Sequence, residues 1–216
     1  MTKEKIKQNK GKLLITFILS LIVMLLWWLI SSNRINGFDD FIYDIFKNMR
    51  NDNLTKVMKF ITEFGGIIGL STICAITTIV LIIKNRKKCG LAILANLVIS
   101  TIIYSIVKQI FQRTRPPMEE WLISESGFSF PSGHTTNNIA FYGFIIYLLY
   151  NKIEDKKVRN IICILIGFIP ILVGLSRIYL RVHYPSDVLA GICLGIILVI
   201  LFVTFIYENP NFKKKR

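Results

Sequence analysis

The chain is 216 residues long, 53% of them hydrophobic, with a mean hydropathy of +0.53. Apolar sequence in this quantity, gathered into long runs, excludes a soluble globular domain, because a domain of this length cannot hide several membrane-length stretches from water. The formal charge of +14 would suit nucleic acid, but its placement along the chain points to a membrane instead.

Six apolar runs are predicted as transmembrane helices: Leu13–Ile30, Phe60–Ile83, Cys89–Val107, Thr135–Tyr150, Ile161–Leu175 and Val188–Tyr207. With short connections they predict an all-α integral membrane protein, one six-helix bundle forming a single domain over residues 1–216. If the N-terminus is cytoplasmic, segments 1–12, 84–88, 151–160 and 208–216 face inward. They hold 17 Lys and Arg against four acids, Glu4, Glu154, Asp155 and Glu208, which makes the inside +13 and the outside +1. This positive-inside bias places both termini in the cytoplasm of a multi-pass protein of the cell membrane. The tail Lys213-Lys214-Lys215-Arg216 adds an attraction to anionic membrane lipids of about 1 kcal/mol per residue. No nucleic-acid partner is expected.

The first run follows five lysines, as a signal peptide would. Its length and the following Ser31-Ser32-Asn33-Arg34, without a small-residue cleavage pattern, favour a retained helix. Residues 31–59 then form an outer, non-membrane stretch. Within it, Phe38, Phe41, Ile42, Ile45, Phe46 and Met49 recur at helical spacing, with Asp39, Asp40, Asp44, Lys47 and Arg50 mostly opposite. The pattern suits an amphipathic helix in the membrane interface, or equally one packed on the bundle end. Cys74, Cys89, Cys163 and Cys193 stand alone in or beside apolar runs and read as small core residues.

Between the third and fourth runs lies the outer segment 108–134. Lys108 and Arg115 are seven residues apart, which on a continuous helix puts both on one face about 10 Å apart. Pro116 disfavours helix at Arg115, so the third membrane helix is predicted to end there. Two converging cations can hold a phosphate, or simply snorkel to the interface. Trp121, Phe128 and Phe130 suit either the mouth of a site or interfacial anchors. In Pro131-Ser132-Gly133-His134, Ser132 is a natural N-cap, Gly133 permits close backbone approach, and the opening N–H groups of the helix attract anions.

The last outer segment, 176–187, contains Arg177, Arg181, His183, Pro185 and Asp187. Pro185 suits the first turn of the sixth helix, with Asp187 at its N-terminus. Asp187 is then placed to accept a ring N–H from His183, fixing the tautomer and raising the nucleophilicity of the other nitrogen. The chain has two histidines, His134 and His183, and the predicted topology puts both on the outer side. Arg113 and Arg181 read as solvated surface residues, or as contacts to a second phosphate.

Lys108 to Pro116, Pro131 to His134 and Ser176 to Asp187 together resemble the signature of the type-2 phosphatidic acid phosphatase family: Lys-x6-Arg-Pro, Pro-Ser-Gly-His, and Ser-Arg-x5-His-x3-Asp. Every signature position is filled. The resemblance implies that His183 attacks phosphorus to form a phosphohistidine, that Asp187 orients it, and that His134 protonates the leaving oxygen and then assists water. It further implies that Lys108, Arg115 and Arg177, with Ser132 and Gly133, bind the phosphoryl oxygens. Fixed cations can do this without a metal, so a metal-independent enzyme without a cofactor is expected, its site at the outer face. The expected substrate is a lipid phosphate: undecaprenyl pyrophosphate or phosphatidylglycerophosphate, with a broad-specificity phosphatidic acid phosphatase as the alternative. Two rivals are a vanadium-dependent haloperoxidase, disfavoured by the apolar runs, and a non-enzymatic headgroup transporter or binder, which leaves the histidines without a role.

Overall fold

The computed structural model describes residues 3–208, with side chains described from residue 9 onward; the basic tail at 213–216 lies outside the described residues. Within that range all regular structure is helical. In chain order it comprises α1 (Lys3–Ser31), α2 (Asn36–Asn48), α3 (Asp52–Gly65), α4 (Ile67–Ile83), α5 (Lys87–Phe111), a 3-10 turn (Met118–Glu120), α6 (Gly133–Tyr150), α7 (Lys156–Tyr179) and α8 (Pro185–Leu201), which runs on into a π-helical stretch (Phe202–Tyr207). Several starts are set by local chemistry. Asn51 and Asp155 cap α3 and α7 by accepting from Leu54 N and Val158 N, each at 2.9 Å, which satisfies donors that a helix start leaves free.

The helix α6 is the hub. It packs along α5, α7 and α8 and touches α3, while α1 lies on α8 and α4 on α5. Its Ala140, Phe141 and Phe144 are buried, whereas Phe17 on α1, Ile83 on α4 and Leu165 on α7 are exposed. Large aliphatic and aromatic side chains turned outward along whole helices need lipid to cover them. Four helices, α1, α5, α7 and α8 with its π extension, are long and apolar enough to cross a membrane, and a fifth crossing arises if α3 and α4 count as one broken span. The chain is therefore an all-helical, multi-pass membrane protein.

Three sequence expectations are corrected. The run Phe60–Ile83 is not one helix: α3 begins at Asp52, within the stretch read as lying outside the membrane, and meets α4 at a bend of 52°. Glycines make that corner possible, since a Cβ on Gly65 would collide with Val173 and one on Gly69 with the Glu63 carbonyl. Second, α5 stops at Phe111 rather than Arg115. Gln112 adopts a left-handed conformation (φ 49°) and its N–H closes on Lys108 O at 3.0 Å, so Lys108 and Arg115 do not share a helix face. Third, the aromatic trio has no common role. Phe130 is fully buried and packs in tilted or edge-on geometry against Trp27 and Phe111, worth about 0.5–1.5 kcal/mol per pair beyond burial. Trp121 packs near Tyr179 and Val182, and only Phe128 lines the cavity described next.

Candidate active site

Where the ends of α5, α6 and α7 meet the start of α8, a cavity of about 240 Å³ opens, lined by Lys108, Arg115, Glu125, Gly133, His134 and His183 among others. Each side chain is delivered by a helix end or a sharp turn. His134 occupies the first turn of α6, whose N-cap Ser132 accepts from Thr135 N at 3.4 Å and from Thr135 Oγ1 at 2.9 Å. The Ser132 hydroxyl is thus engaged in capping, behind the cavity wall. A Cβ on Gly133 would strike the Tyr104 ring, so here the glycine admits a neighbouring side chain.

After α7 the chain reverses at Arg181, a non-glycine residue in the left-handed region (φ 58°) whose N–H closes on Ile178 O at 3.0 Å. This turn brings His183 back over the bundle just ahead of Pro185, the first residue of α8. His183 is buried, 1% exposed. Its Nε2 meets Arg115 Nη1 at 3.2 Å. A guanidinium can only donate, so Nε2 presents its lone pair and the proton sits on Nδ1. That nitrogen faces Asp187 Oδ2 at 3.5 Å and Ser129 Oγ at 3.3 Å. Ser129 in turn donates to Asp187 Oδ2 at 2.5 Å. The contact between imidazole and carboxylate is therefore supported by a serine between them, which sequence reasoning missed; no local pattern around Ser129 marks it.

Burial, then the nearby charges of Arg115, Lys108 and Arg177, holds the His183 imidazole well below the ordinary histidine range, so the ring is neutral. Burial also lowers the Arg115 pKa, partly offset by Glu125 and Asp187. Arg115 is anchored by the carbonyls of Val182 (2.6 Å), Ser126 (2.8 Å) and Gly127 (3.0 Å). Lys108 Nζ donates to Phe128 O at 2.6 Å. Arg177, 1% exposed, donates to Thr62 Oγ1 at 2.8 Å and pairs with the Glu125 carboxylate, whose other oxygen lies 3.9 Å from Arg115. Glu125, also unflagged by the sequence, is thus an anion seated among the cavity's cations.

Of the predicted residues, Lys108, Arg115, Gly133, His134 and His183 share the cavity wall. Ser132, Arg177 and Asp187 stand behind it: Arg177 and Asp187 touch the wall residues Glu125 and His183, while Ser132 caps the helix that carries Gly133 and His134. Arg113 and Arg181 are not solvated surface residues. Arg113 forms buried ion pairs with Asp187 (2.6 Å) and Asp39 (2.8 Å), and although burial lowers its pKa, those two carboxylates outweigh it and hold it above the usual arginine value. Arg181 lies 3.4 Å over the Tyr43 ring and pairs with Glu120 at 2.8 Å. Asp39 and Tyr43, both buried on α2, carry these contacts; an amphipathic pattern that put Asp39 on the polar face gave no sign of partners so far along the chain.

A neutral, backed imidazole, a second imidazole and several fixed cations around one small cavity can bind a phosphoryl group and attack it. Three comparisons bear on this geometry. Phosphatidylglycerophosphatase B of Bacillus subtilis is 32% identical over 86% of this chain and 92% of its own length. An undecaprenyl-diphosphatase of Sulfolobus acidocaldarius is 27% identical over 84% of each. The crystal structure of a transmembrane PAP2-type phosphatidylglycerolphosphate phosphatase from Bacillus subtilis superposes with a TM-score of 0.82 at 31% identity, covering 93% of this chain and 98% of that one. The PAP2 superfamily model itself matches residues 90–211, a span that contains the whole cavity wall apart from Ile67, and the chain belongs to that superfamily.

Proposed function

We propose that this PAP2 phosphatase removes phosphate from a membrane lipid at the outer face of the cell membrane, through a phosphohistidine on His183. The observation that carries the proposal is the His183 ring: its Nε2 lone pair faces the cation-lined cavity while its Nδ1–H is backed by Ser129 and Asp187. In the first half-reaction Nε2 bonds to phosphorus as the bond to the lipid oxygen breaks, and His134 gives that oxygen its proton. In the second, His134 takes a proton from water, water oxygen bonds to phosphorus, and the P–N bond breaks to restore His183. Lys108 and Arg115, with Arg177 once Glu125 yields, offset the charge spread over the phosphoryl oxygens; the Gly133 N–H and the Ser132-capped start of α6 add an aligned dipole. No step calls for a metal or cofactor.

The chain is read as one domain with six crossings, α6 being the one added to the four long apolar helices and the broken α3–α4 span. Its first turns are polar, but neighbouring helices shield them from lipid. Both termini are assigned to the cytoplasm; the Lys12–Glu208 pair (3.1 Å) supports their lying on one side. The helix α2 is assigned to the outer interface. Phosphatidylglycerophosphate and undecaprenyl pyrophosphate, the substrates for which the relatives are named, are the first to test, with phosphatidic acid third. Purified protein in mixed lipid micelles should release phosphate from at least one of them, equally well in chelator, and His183→Ala should not. Lack of release from all three, or undiminished release by His183→Ala, overturns the reading.

A further inference from the structure

Asp39 is 1% exposed, yet it is a carboxylate far from any predicted catalytic motif. Its Oδ1 accepts from Ser186 N at 2.8 Å, and its Oδ2 from Ser186 Oγ at 2.7 Å and Arg113 Nη2 at 2.8 Å. The other terminal nitrogen of Arg113 donates to Asp187 Oδ1 at 2.6 Å and Ser186 Oγ at 2.8 Å, and the guanidinium lies 4.0 Å over the Tyr184 ring. One planar fork therefore spans two buried carboxylates that are separated along the chain, a geometry that the point charge of a lysine cannot reproduce.

The consequence falls on Asp187. Its Oδ2 takes Ser129 Oγ, the Tyr184 N–H at 2.9 Å, and faces His183; its Oδ1 is held by Arg113. Without Arg113, Oδ1 loses its charged donor and the carboxylate is held through Oδ2 alone, so the ring that depends on it is less firmly oriented. We infer that Asp39 and Arg113 are positioning residues for the phosphoryl transfer: α2 fixes Arg113, Arg113 fixes Asp187, and Asp187 sets the His183 ring. The inference rests on His183 being the nucleophile, as proposed above. It makes α2 part of the catalytic machinery although neither Asp39 nor Arg113 lines the cavity.

The test compares Asp39→Asn, Arg113→Lys, Arg113→Gln and Asp39→Asn/Arg113→Gln with the parent, each as monodisperse full-length protein in lipid micelles. The rate kcat should fall about tenfold for Asp39→Asn and about a hundredfold for Arg113→Gln, the range expected when a reacting group is misplaced, with Arg113→Lys between them. KM and the inhibition constant for inorganic phosphate should stay within about twofold, because Lys108, Arg115 and Arg177 are untouched. The double variant should be no slower than Arg113→Gln alone, since Asp39 acts through Arg113. It leaves no unpaired buried charge from this pair, so it keeps the comparison readable if Arg113→Gln folds poorly. Parental kcat in Asp39→Asn overturns the inference, as does a full multiplication of the two losses in the double variant, or a rise in KM that matches the fall in kcat. A parent that hydrolyses no lipid phosphate would instead sink the proposed function, which separates the two failures.

Discussion

The bundle has a cavity toward each end of α5 and α6. At one end Arg86, Tyr147, Lys152 and Tyr207 border about 550 Å³; at the other Lys108, Arg115, His134 and His183 border about 240 Å³. The larger cavity is bounded mainly by tyrosines and aliphatic side chains, with Tyr147 donating to Glu208 at 2.7 Å. Around the smaller one buried charges are cross-paired: Arg177 with the half-buried Glu125, Arg113 with Asp39 and Asp187, His183 with Asp187. Volume does not distinguish a site from a gap between helices. Buried ionisable groups held by opposite partners do, because they are costly to keep and useful only where charge develops.

The comparison breaks first if the two ends respond alike to loss of a polar side chain. His183→Ala should lower kcat by at least about 10⁴-fold, as loss of a nucleophile does, while Arg86→Ala at the other cavity should leave kcat within about twofold. Phosphate release by the two purified variants decides it. Next in size is Asp187→Asn. It keeps the shape but cannot accept and orient in the same way, and kcat should fall about 10²–10⁴-fold with little change in KM. A fall confined to KM would mean that Asp187 serves binding rather than the His183 ring.

The pH response sharpens the same contrast. His183 attacks only when neutral, and its pKa is held well below 6.5 by burial and by Arg115, Lys108 and Arg177. Activity measured as kcat/KM should therefore persist below pH 6.5, where an ordinary histidine would already be protonated. Stability follows with a defined sign. The unfolded chain takes up a proton at this side chain near pH 6.5 and the folded chain does not, so this contribution is present above that pH and is lost as pH falls below it. His183→Gln should flatten the acid side of the Tm-versus-pH curve. An acid limb of kcat/KM centred at or above pH 6.5 would show that the ring is not desolvated as the structure has it.

Much of the site was legible because its chemistry resides in rare residue types at helix starts: two histidines, Asp187 after Pro185, and Ser132 before Gly133 and His134. What stayed hidden was tertiary. Arg113 sits in the polar run Gln112-Arg113-Thr114-Arg115 and looks solvated, yet both its carboxylate partners are 74 residues away. Gln112 ends α5 in a left-handed turn that the restriction imposed by Pro116 on Arg115 does not anticipate. The break between α3 and α4 had a local trace in Gly65-Gly66, but hydrophobicity continues across it, so a count of apolar residues ran the two helices together. Ser129 and Glu125 act only through residues brought near by folding.

The smallest expected effect sets one ion pair against another. Lys12 and Glu208 pair at 3.1 Å near the larger cavity, with side chains 21% and 23% exposed, whereas Arg113 and Asp39 pair at 2.8 Å with 9% and 1% exposed. A partly solvated pair contributes about 0–1 kcal/mol, because water competes for both charges and two long side chains lose rotamer freedom. Glu208 also accepts from Tyr147, so loss of Lys12 does not strand its carboxylate. Asp39→Ala, by contrast, removes three hydrogen bonds at once and leaves Arg113 buried beside one carboxylate instead of two, where breaking a buried pair costs about 3–5 kcal/mol. Lys12→Ala should therefore barely move Tm in lipid micelles and leave kcat unchanged, while Asp39→Ala lowers both. Equal losses of Tm in the two variants would mean that the ends of the bundle bury charge to the same degree, and the distinction between them would fail.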